Sequence, residues 1–246
     1  MTHNLRAETL TIKGHNGDEI EAYVAVPTDV EQHGSIVVIH HLPGYDEATK
    51  EITRRFAANG YAAIMPNLYH REAPGADPDD AAAIARANGG IADEQIVGDV
   101  EGAMNYLKSL PTSNGKVASI GFCSGGRQSF MVGCRLPLEG VIDCYGAFVV
   151  GTPPAEFPLR VTPVVGEASG LRGEVLGLFG AEDQFPTPAQ VDELADALRA
   201  AGKTFTFRTY EGAGHAFFSS DRPSYRVDAA NEGWREIFSF LSRTVG

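Results

Sequence analysis

Cys123 is the residue of this chain best placed to act as a nucleophile. It stands at the centre of Gly121-Phe122-Cys123-Ser124-Gly125, directly after the apolar run of residues 116–120. A strand that turns sharply into a helix strains the backbone of its central residue and crowds the residues two before and two after, which must be small. Gly121 and Gly125 meet this demand, whereas a turn centred on Ser124 would put Phe122 at a crowded position. The pattern predicts a nucleophile elbow with a thiol in place of the usual serine.

A thiol nucleophile needs a base to take its proton and an acid to orient that base. Asp183 follows the apolar run of residues 176–180, and His215 ends a glycine-rich stretch after the strand-like residues 206–210. The chain order is therefore nucleophile, acid and histidine, which is the order of the α/β-hydrolase fold. Glu182 adjoins Asp183, and neighbouring side chains on an extended loop point in different directions, so only one of the two can hold His215.

Three motifs resemble those of the dienelactone hydrolase family: Gly-Phe-Cys-Ser-Gly-Gly from residue 121, Ala-Glu-Asp from residue 181 and Gly-Ala-Gly-His-Ala-Phe from residue 212. The resemblance spans nearly the whole chain. It implies an α/β-hydrolase fold, a triad of Cys123, Asp183 and His215, and hydrolysis of a small ester or lactone without a cofactor. It selects Asp183 over Glu182 as the acid of the triad. The expected intermediate is a thioester between Cys123 and the acyl group.

The loop His40-His41-Leu42-Pro43-Gly44 follows a predicted strand and is placed to supply a backbone N–H to an oxyanion hole. Leu42 is the candidate donor in this loop, and the second donor is the N–H of Ser124, the residue after the nucleophile. The tandem histidines also suggest a metal site. Adjacent residues on an extended chain face opposite ways, however, and no cysteine or carboxylate lies at ligand spacing, so we expect no metal.

The chain departs from the family pattern at three positions. His41 stands where dienelactone hydrolases have a glutamate next to the nucleophile, and we expect His41 to lie near Cys123 and contact the thiol or the substrate. The two arginines with which the namesake enzymes hold a carboxylate align with Ala81 and Ser219. Without a guanidinium fork, bidentate binding of a carboxylate weakens. An uncharged or differently charged ester is therefore at least as consistent with this site as dienelactone.

Other residues could contact the substrate in place of the missing arginines. Arg71, Arg86 and Arg222 lie in the same two regions of the sequence as Ala81 and Ser219. Phe217, two residues after His215, is a further candidate substrate contact.

Two alternatives to hydrolysis stay open. The same site could transfer the acyl group to another acceptor, or the protein could bind a ligand without catalysis, as the changes at His41 and at the arginine positions suggest. The presence of Cys123, Asp183 and His215 favours catalysis. Because the α/β-hydrolase scaffold hosts many chemistries, the fold alone does not choose the substrate.

The composition restricts the class of protein. The chain has 246 residues, of which 43% are hydrophobic, and no linker divides it, so residues 1–246 are expected to form one α/β domain. The formal net charge of −12, with only 20 scattered lysines and arginines, gives no basic stripe for a phosphate backbone and little attraction to anionic lipid. The expected partner is a small molecule, not a nucleic acid or a membrane.

The amino-terminal residues and the cysteines indicate where in the cell the protein is expected to act. The first residues lack a basic region followed by an apolar stretch, and no run approaches the roughly 20 apolar residues of a membrane span. Three cysteines do not suggest a disulfide framework, and we expect Cys134 and Cys144 to be core residues. A cytoplasmic enzyme is expected, as a monomer or small homo-oligomer.

Strand and helix patterns alternate along the chain and predict a mostly parallel sheet with helices on both sides, opened by an antiparallel hairpin. The expected strands are residues 9–13, 19–26, 35–40, 61–65, 117–120, 141–145, 175–179 and 203–210. The expected helices are residues 48–59 and 97–110, one that follows the elbow, one from a capping box at Thr187 to Gly202, and a terminal one with Trp234, Ile237, Phe238 and Leu241 on its apolar face.

Two stretches fit this alternation poorly. Residues 69–90 are rich in alanine, aspartate and proline, and residues 151–171 contain four prolines. We expect both to run over the surface as loops. Ligands of α/β sheets bind beyond the carboxyl ends of the strands, so these stretches are candidates for the walls or lid of a pocket, or are plain connections.

Overall fold

The computed structural model describes residues 4–41 and 44–246 and contains one eight-stranded sheet. In chain order the strands are β1 (Leu5–Lys13), β2 (Glu19–Pro27), β3 (His33–Ile39), β4 (Ala62–Pro66), β5 (Ser113–Phe122), β6 (Gly140–Cys144), β7 (Glu174–Gly180) and β8 (Phe205–Tyr210). The helices are α1 (Glu47–Ala58), α2 (Pro78–Ala87), α3 (Asp93–Ser109), α4 (Ser124–Arg135), α5 (Pro188–Ala200) and α6 (Val227–Thr244), with short 3₁₀ helices at His15–Gly17 and Val165–Gly170.

The spatial order of the strands is β1-β2-β4-β3-β5-β6-β7-β8. The pairs β1–β2 and β2–β4 are antiparallel, and the other neighbouring pairs are parallel. The predicted opening hairpin and the mostly parallel sheet are therefore confirmed. Strands β3, β6 and the second half of β5 are buried, as their continuous apolar runs predict for strands covered on both faces.

Helices cover both faces of the sheet. Helices α2, α3, α4 and α5 contribute to the hydrophobic cluster on one face, and α1 and α6 contribute to the cluster on the other. In α6, Trp234, Ile237 and Leu241 are buried and Phe238 is partly buried against them, which confirms the predicted apolar face. No helix in the described part of the chain is long and apolar enough to cross a membrane.

Local signals at helix ends act as the sequence indicates. Thr187 accepts a hydrogen bond from the Gln190 N–H at 3.3 Å, while the Gln190 side chain accepts one from the Thr187 N–H at 2.9 Å. This reciprocal pair is the predicted capping box of α5. Helix α1 ends before Gly60, whose φ of 91° is strained for any residue with a Cβ.

The expectation that residues 69–90 form only a loop is wrong, because α2 lies within them. Pro78 occupies the start of α2, and Asp79 and Asp80 lie in its first turn, where a negative charge is favourable. Ala81, Ala82 and Ala85 are buried against the core. A helix that buries only small side chains has a weak apolar periodicity, so its sequence pattern does not predict a helix.

Candidate active site

Cys123 lies between the end of β5 and the start of α4, with φ 55° and ψ −120°. A side chain with a Cβ is strained at this φ, and such strain persists only where the surroundings enforce it. A Cβ on Gly121 would overlap the carbonyl oxygen of Gly125, and a Cβ on Gly125 would overlap that of Ile39. The backbone therefore has the sharp strand-to-helix turn that the glycines predict, with a half-buried thiol at its apex.

The Ser124 N–H opens helix α4 and donates no hydrogen bond to any residue within 4–41 and 44–246. An unpaired N–H at a helix N-terminus is a suitable donor to a developing oxyanion. Leu42, the other expected donor, lies outside the described residues.

Asp183 and His215 meet at the carboxyl ends of neighbouring strands. Nδ1 of His215 lies 3.0 Å and 3.2 Å from the two carboxylate oxygens of Asp183, which is 1% exposed. Asp183 also accepts the Phe185 N–H at 2.8 Å, so its carboxylate is held from two sides. The Glu182 N–H donates to the carbonyl of Ala213 at 2.9 Å and ties the loop of the acid to that of the histidine.

The ring of His215 interacts with both Asp183 and Cys123. Burial alone lowers the pKa of His215, but hydrogen bonds with Asp183 and Cys123 and their negative charges outweigh burial and raise this pKa to about 10. An imidazolium is therefore favoured at neutral pH. This positive charge lies beside the Cys123 sulfur.

Backbone strain is concentrated around these groups. Among the described residues, five other than glycine have a positive φ, and four of them are Cys123, Tyr145, Phe148 and Ala216. Ala216 follows His215, and the ring of Tyr145 lies 5.1 Å from that of His215. Strained residues cluster where a fold is shaped for binding or catalysis.

A cavity of about 400 Å³ opens beside the thiol. Cys123, Ser124, Asp183 and His215 all line it. The rest of its wall includes Tyr69, Arg86, Gln128, Phe148, Phe157, Leu159, Val161 and Phe185. Both long stretches that fit the strand-helix alternation poorly thus contribute to the wall, and the Arg160 N–H joins them by donating to the carbonyl of Gly89 at 2.8 Å.

Comparison with known proteins shows the family to which the chain belongs. Residues 20–245 match the model of the dienelactone hydrolase family. The chain belongs to the dienelactone hydrolase family. A relative from Methylorubrum extorquens, described as "Putative carboxymethylenebutenolidase", is 33% identical over 221 residues, which are 89% of this chain and 75% of the relative. Membership makes the protein a hydrolase of the ester and lactone class.

Solved structures of similar shape confirm the α/β-hydrolase fold. A Klebsiella pneumoniae protein described as "Putative Dienelactone Hydrolase" has a TM-score of 0.85 and 27% identity, over 97% of this chain and 99% of that one. An acylaminoacyl peptidase from Pyrococcus horikoshii has a TM-score of 0.71 and 18% identity, over all of this chain and 42% of that one. The second likeness concerns the fold alone.

Of the candidate substrate contacts of this dienelactone hydrolase family member, the structure places only Arg86 at the cavity. Arg71 does not line it and is instead held by the buried carboxylate of Asp99 at 2.8 and 2.9 Å and by Asp18 at 2.9 Å. Phe217 is fully buried and packs against the rings of Tyr145, Tyr210 and Phe218. Neither Arg71 nor Phe217 lines the cavity beside Cys123.

His41 pairs with a carboxylate and lines a different cavity from the one beside Cys123. Its Nε2 lies 3.2 Å from the Asp46 carboxylate, and it lines a second cavity of about 600 Å³ together with Ser219. No described residue lines both this cavity and the one beside Cys123. Burial raises the pKa of Asp46, but hydrogen bonds from His41 and Thr49 outweigh burial and hold it at about 2. The structure thus gives His41 a carboxylate partner and not the thiol.

His40 faces the core, opposite to His41, as expected of adjacent residues. Its Nδ1 donates to the carbonyl of His41 at 3.1 Å, and its Nε2 accepts the Leu68 N–H at 3.1 Å. Burial lowers the pKa of His40 to about 4, so the ring is neutral in the physiological range. Across residues 4–41 and 44–246, no group of three or more His, Cys, Asp or Glu side chains is arranged to hold a metal ion.

The other two cysteines are core residues, as predicted. Cys144 is fully buried and Cys134 is 9% exposed. Burial raises the pKa of the Cys134 thiol to about 12, which disfavours its reactive form. Cys134 is therefore a suitable control for chemistry at Cys123.

Sequence reasoning missed Arg127, which is 3% exposed and fixes the cavity wall. Its guanidinium pairs with the Asp93 carboxylate at 3.0 and 2.9 Å and donates to the carbonyl of Thr162 at 2.8 Å. These contacts connect the nucleophile helix α4 to the start of α3 and to the stretch of residues 151–171. An arginine inside an amphipathic helix carries no sequence signal for such a role.

Proposed function

We propose that this protein hydrolyses small esters or lactones by means of a Cys123 thiolate, with Asp183 and His215 as the other members of a triad. One observation carries the proposal: the His215 ring interacts with the buried Asp183 carboxylate and with Cys123 at a strained elbow. A buried acid, an oriented base and a nucleophile that lines a cavity are the parts that covalent acyl transfer needs.

In the first step the Cys123 sulfur attacks the ester carbonyl and forms a tetrahedral oxyanion. We propose that the backbone N–H of Ser124 stabilises this charge and that the backbone N–H of Leu42 is the second donor. His215, which holds the thiol proton as an imidazolium, gives it to the departing alkoxide, and the carbon–oxygen bond breaks. The acyl group remains on sulfur as a thioester.

In the second step water attacks the thioester. His215, now neutral, takes a proton from the water, and the resulting tetrahedral intermediate expels the Cys123 thiolate. The acid product leaves, and the thiolate and imidazolium are restored. Asp183 holds Nδ1 of His215 and keeps Nε2 directed at the reacting atoms.

The substrate is a small molecule that fits a cavity of about 400 Å³, and Arg86 is the proposed polar contact at its edge. We also propose a cytoplasmic location. The support for it is that the three cysteines, Cys123, Cys134 and Cys144, are all free, as is usual in a reducing compartment.

The test is the hydrolysis of 4-nitrophenyl acetate at neutral pH by the unaltered protein, by Cys123→Ala and by the matched control Cys134→Ala. We expect turnover in the unaltered protein and the control, loss in Cys123→Ala, and a mass increase of one acetyl group on Cys123 after rapid quenching. Equal turnover by Cys123→Ala would contradict the thiol mechanism. Inertness of all three proteins would favour ligand binding without catalysis, and dependence of turnover on an added alcohol or amine would favour acyl transfer.

A further inference from the structure

Three phenylalanine rings line the cavity beside Cys123 and have no part in the proposed chemistry. The ring centroids of Phe148 and Phe185 are 5.5 Å apart, those of Phe157 and Phe185 are 5.7 Å apart, and those of Phe148 and Phe157 are 6.3 Å apart. Phe148 follows β6, Phe157 belongs to residues 151–171, and Phe185 follows Asp183 in the loop after β7. These three residues, which we call the aromatic trio, thus converge on the cavity from three parts of the chain.

The backbone at Phe148 would suit glycine better than phenylalanine. Its φ is 66°, a conformation that a bulky residue adopts only when its surroundings enforce it. The chain is fixed on both sides, because the Ala147 N–H donates to the carbonyl of Cys123 at 3.3 Å and the Val164 N–H donates to that of Val149 at 3.0 Å. The strain therefore places a ring in the cavity wall at a point anchored to the nucleophile itself.

Phe157 is 39% exposed, which is unusual for a large apolar side chain. Its ring contacts those of Phe148 and Phe185 but leaves part of its surface in water. Exposed apolar surface at the edge of a cavity marks a place where a ligand, on binding, removes that surface from water.

The charged groups of the cavity leave this part of its wall neutral. The Arg127 charge is compensated by Asp93, and the side chains of Arg86 and Glu182 are exposed to water. The neighbours of the trio in the wall include Leu159 and Val161. A carboxylate placed directly against the three rings, Leu159 and Val161 would lose its hydration to apolar side chains.

We propose that the aromatic trio binds an uncharged aryl or branched alkyl group of the substrate, so that the protein prefers neutral aromatic or branched esters to small esters that carry a carboxylate. This inference rests on the proposed function, because it concerns the same cavity and the same thiol.

The first experiment compares kcat/KM of the unaltered protein for neutral esters. Ethyl acetate is the reference, benzyl acetate carries the aryl group on the alcohol, and ethyl phenylacetate carries it on the acyl side. We expect at least one aryl ester to exceed ethyl acetate by roughly 10- to 100-fold, the discrimination that a hydrophobic pocket gives for an added apolar group. With 4-carboxybenzyl acetate, which adds only a carboxylate, kcat/KM should fall at least tenfold below that of benzyl acetate. Equal rates for all neutral esters, or a preference for the carboxylate, would overturn the inference.

The second experiment assigns the preference to the trio. In Phe157→Ala, the ratio of kcat/KM for the preferred aryl ester to that for ethyl acetate should fall roughly tenfold. Phe157→Leu, which keeps apolar bulk, should retain most of the ratio, and Phe205→Ala on the distant strand β8 should retain all of it. A ratio is insensitive to the fraction of folded protein, so partial misfolding does not imitate the result. An unchanged ratio in Phe157→Ala would refute the role of the trio.

The two proposals fail in different ways. If Cys123-dependent hydrolysis of 4-nitrophenyl acetate is present but the aryl preference is absent, the trio inference is wrong and the proposed function stands. If that hydrolysis is absent, the proposed function itself is wrong.

Discussion

Asparagine at position 183 would remove the negative charge that holds His215 while keeping the shape of the side chain. In the native structure the carboxylate faces Nδ1 of His215 at 3.0 and 3.2 Å and accepts the Phe185 N–H at 2.8 Å. The asparagine oxygen can still accept the Phe185 N–H. Its amide N–H groups, however, would face Nδ1 as donors and favour the wrong tautomer of the imidazole.

The size of the effect follows from the pKa of His215, which is raised from 6.5 to about 10. At about 1.36 kcal/mol per pKa unit, this difference corresponds to about 5 kcal/mol. Asp183 and Cys123 both contribute to this free energy. Water screens part of the electrostatic interaction, because one-third of the His215 side chain is exposed. We assign roughly 2 kcal/mol to the Asp183 charge, or about 30-fold in rate. The wrong tautomer adds to this loss, up to a total of about 10⁴-fold.

The assay is kcat/KM for 4-nitrophenyl acetate between pH 5 and 10, together with the rate of Cys123 alkylation by iodoacetamide at pH 7. In Asp183→Asn we expect kcat/KM to fall between roughly 30-fold and 10⁴-fold. Alkylation should slow as well, because the pKa of His215 falls toward its ordinary value and less imidazolium faces the thiol. Glu182→Gln is the matched control, since Glu182 adjoins Asp183 but has no contact with His215, and we expect it to behave as the unaltered protein.

Two outcomes would refute this reasoning. A loss of less than fivefold in Asp183→Asn would show that the buried carboxylate does not orient the base. Equal losses in Asp183→Asn and Glu182→Gln would show that general negative charge near the cavity, and not the contact with His215, accounts for the effect.

Three further predictions concern stability. Gly121→Ala should lower the free energy of unfolding in urea by roughly 2 kcal/mol or more, because its Cβ would overlap the carbonyl of Gly125. Gly166→Ala is the control, since a Cβ at this position would have no atom within 4 Å. Burial raises the pKa of Asp143 from 3.8 to about 7. The stability contributed by this carboxyl group is therefore present below about pH 4 and is lost as the pH rises through 7. The urea midpoint of Asp143→Asn should change less between about pH 4 and 8 than that of the unaltered protein. Asp93→Asn should lower the free energy of unfolding by roughly 3 kcal/mol, because it leaves the buried Arg127 charge without a negatively charged partner. A smaller loss than in Arg127→Met would contradict this.

The local features of this protein were predictable because neighbours along the chain determine them. The elbow at Cys123 needs small residues two positions away on each side, and Gly121 and Gly125 supply them. The capping box at Thr187 and the apolar face of α6 likewise depend on spacings of three or four residues. Alternation of such elements was enough to predict a mostly parallel sheet covered on both faces.

The contacts of individual side chains were decided by the tertiary structure. Arg71 and Arg86 are equally plausible contacts in the sequence, but Asp99 of helix α3 holds Arg71, which does not line the cavity. His41 likewise pairs with Asp46. Such pairings depend on distances across the folded chain, which no local spacing specifies.

The sequence by itself determined which residues could perform the chemistry, because the conformation around a nucleophile is set by its immediate neighbours. Only the tertiary structure decided the shape of the cavity. Its aromatic trio comes from loops after different strands, and these loops meet because the parallel sheet brings the carboxyl ends of its strands to one edge. Side chains far apart in the chain thus become neighbours through packing of the whole core, and that packing is a property of the folded chain and not of any segment.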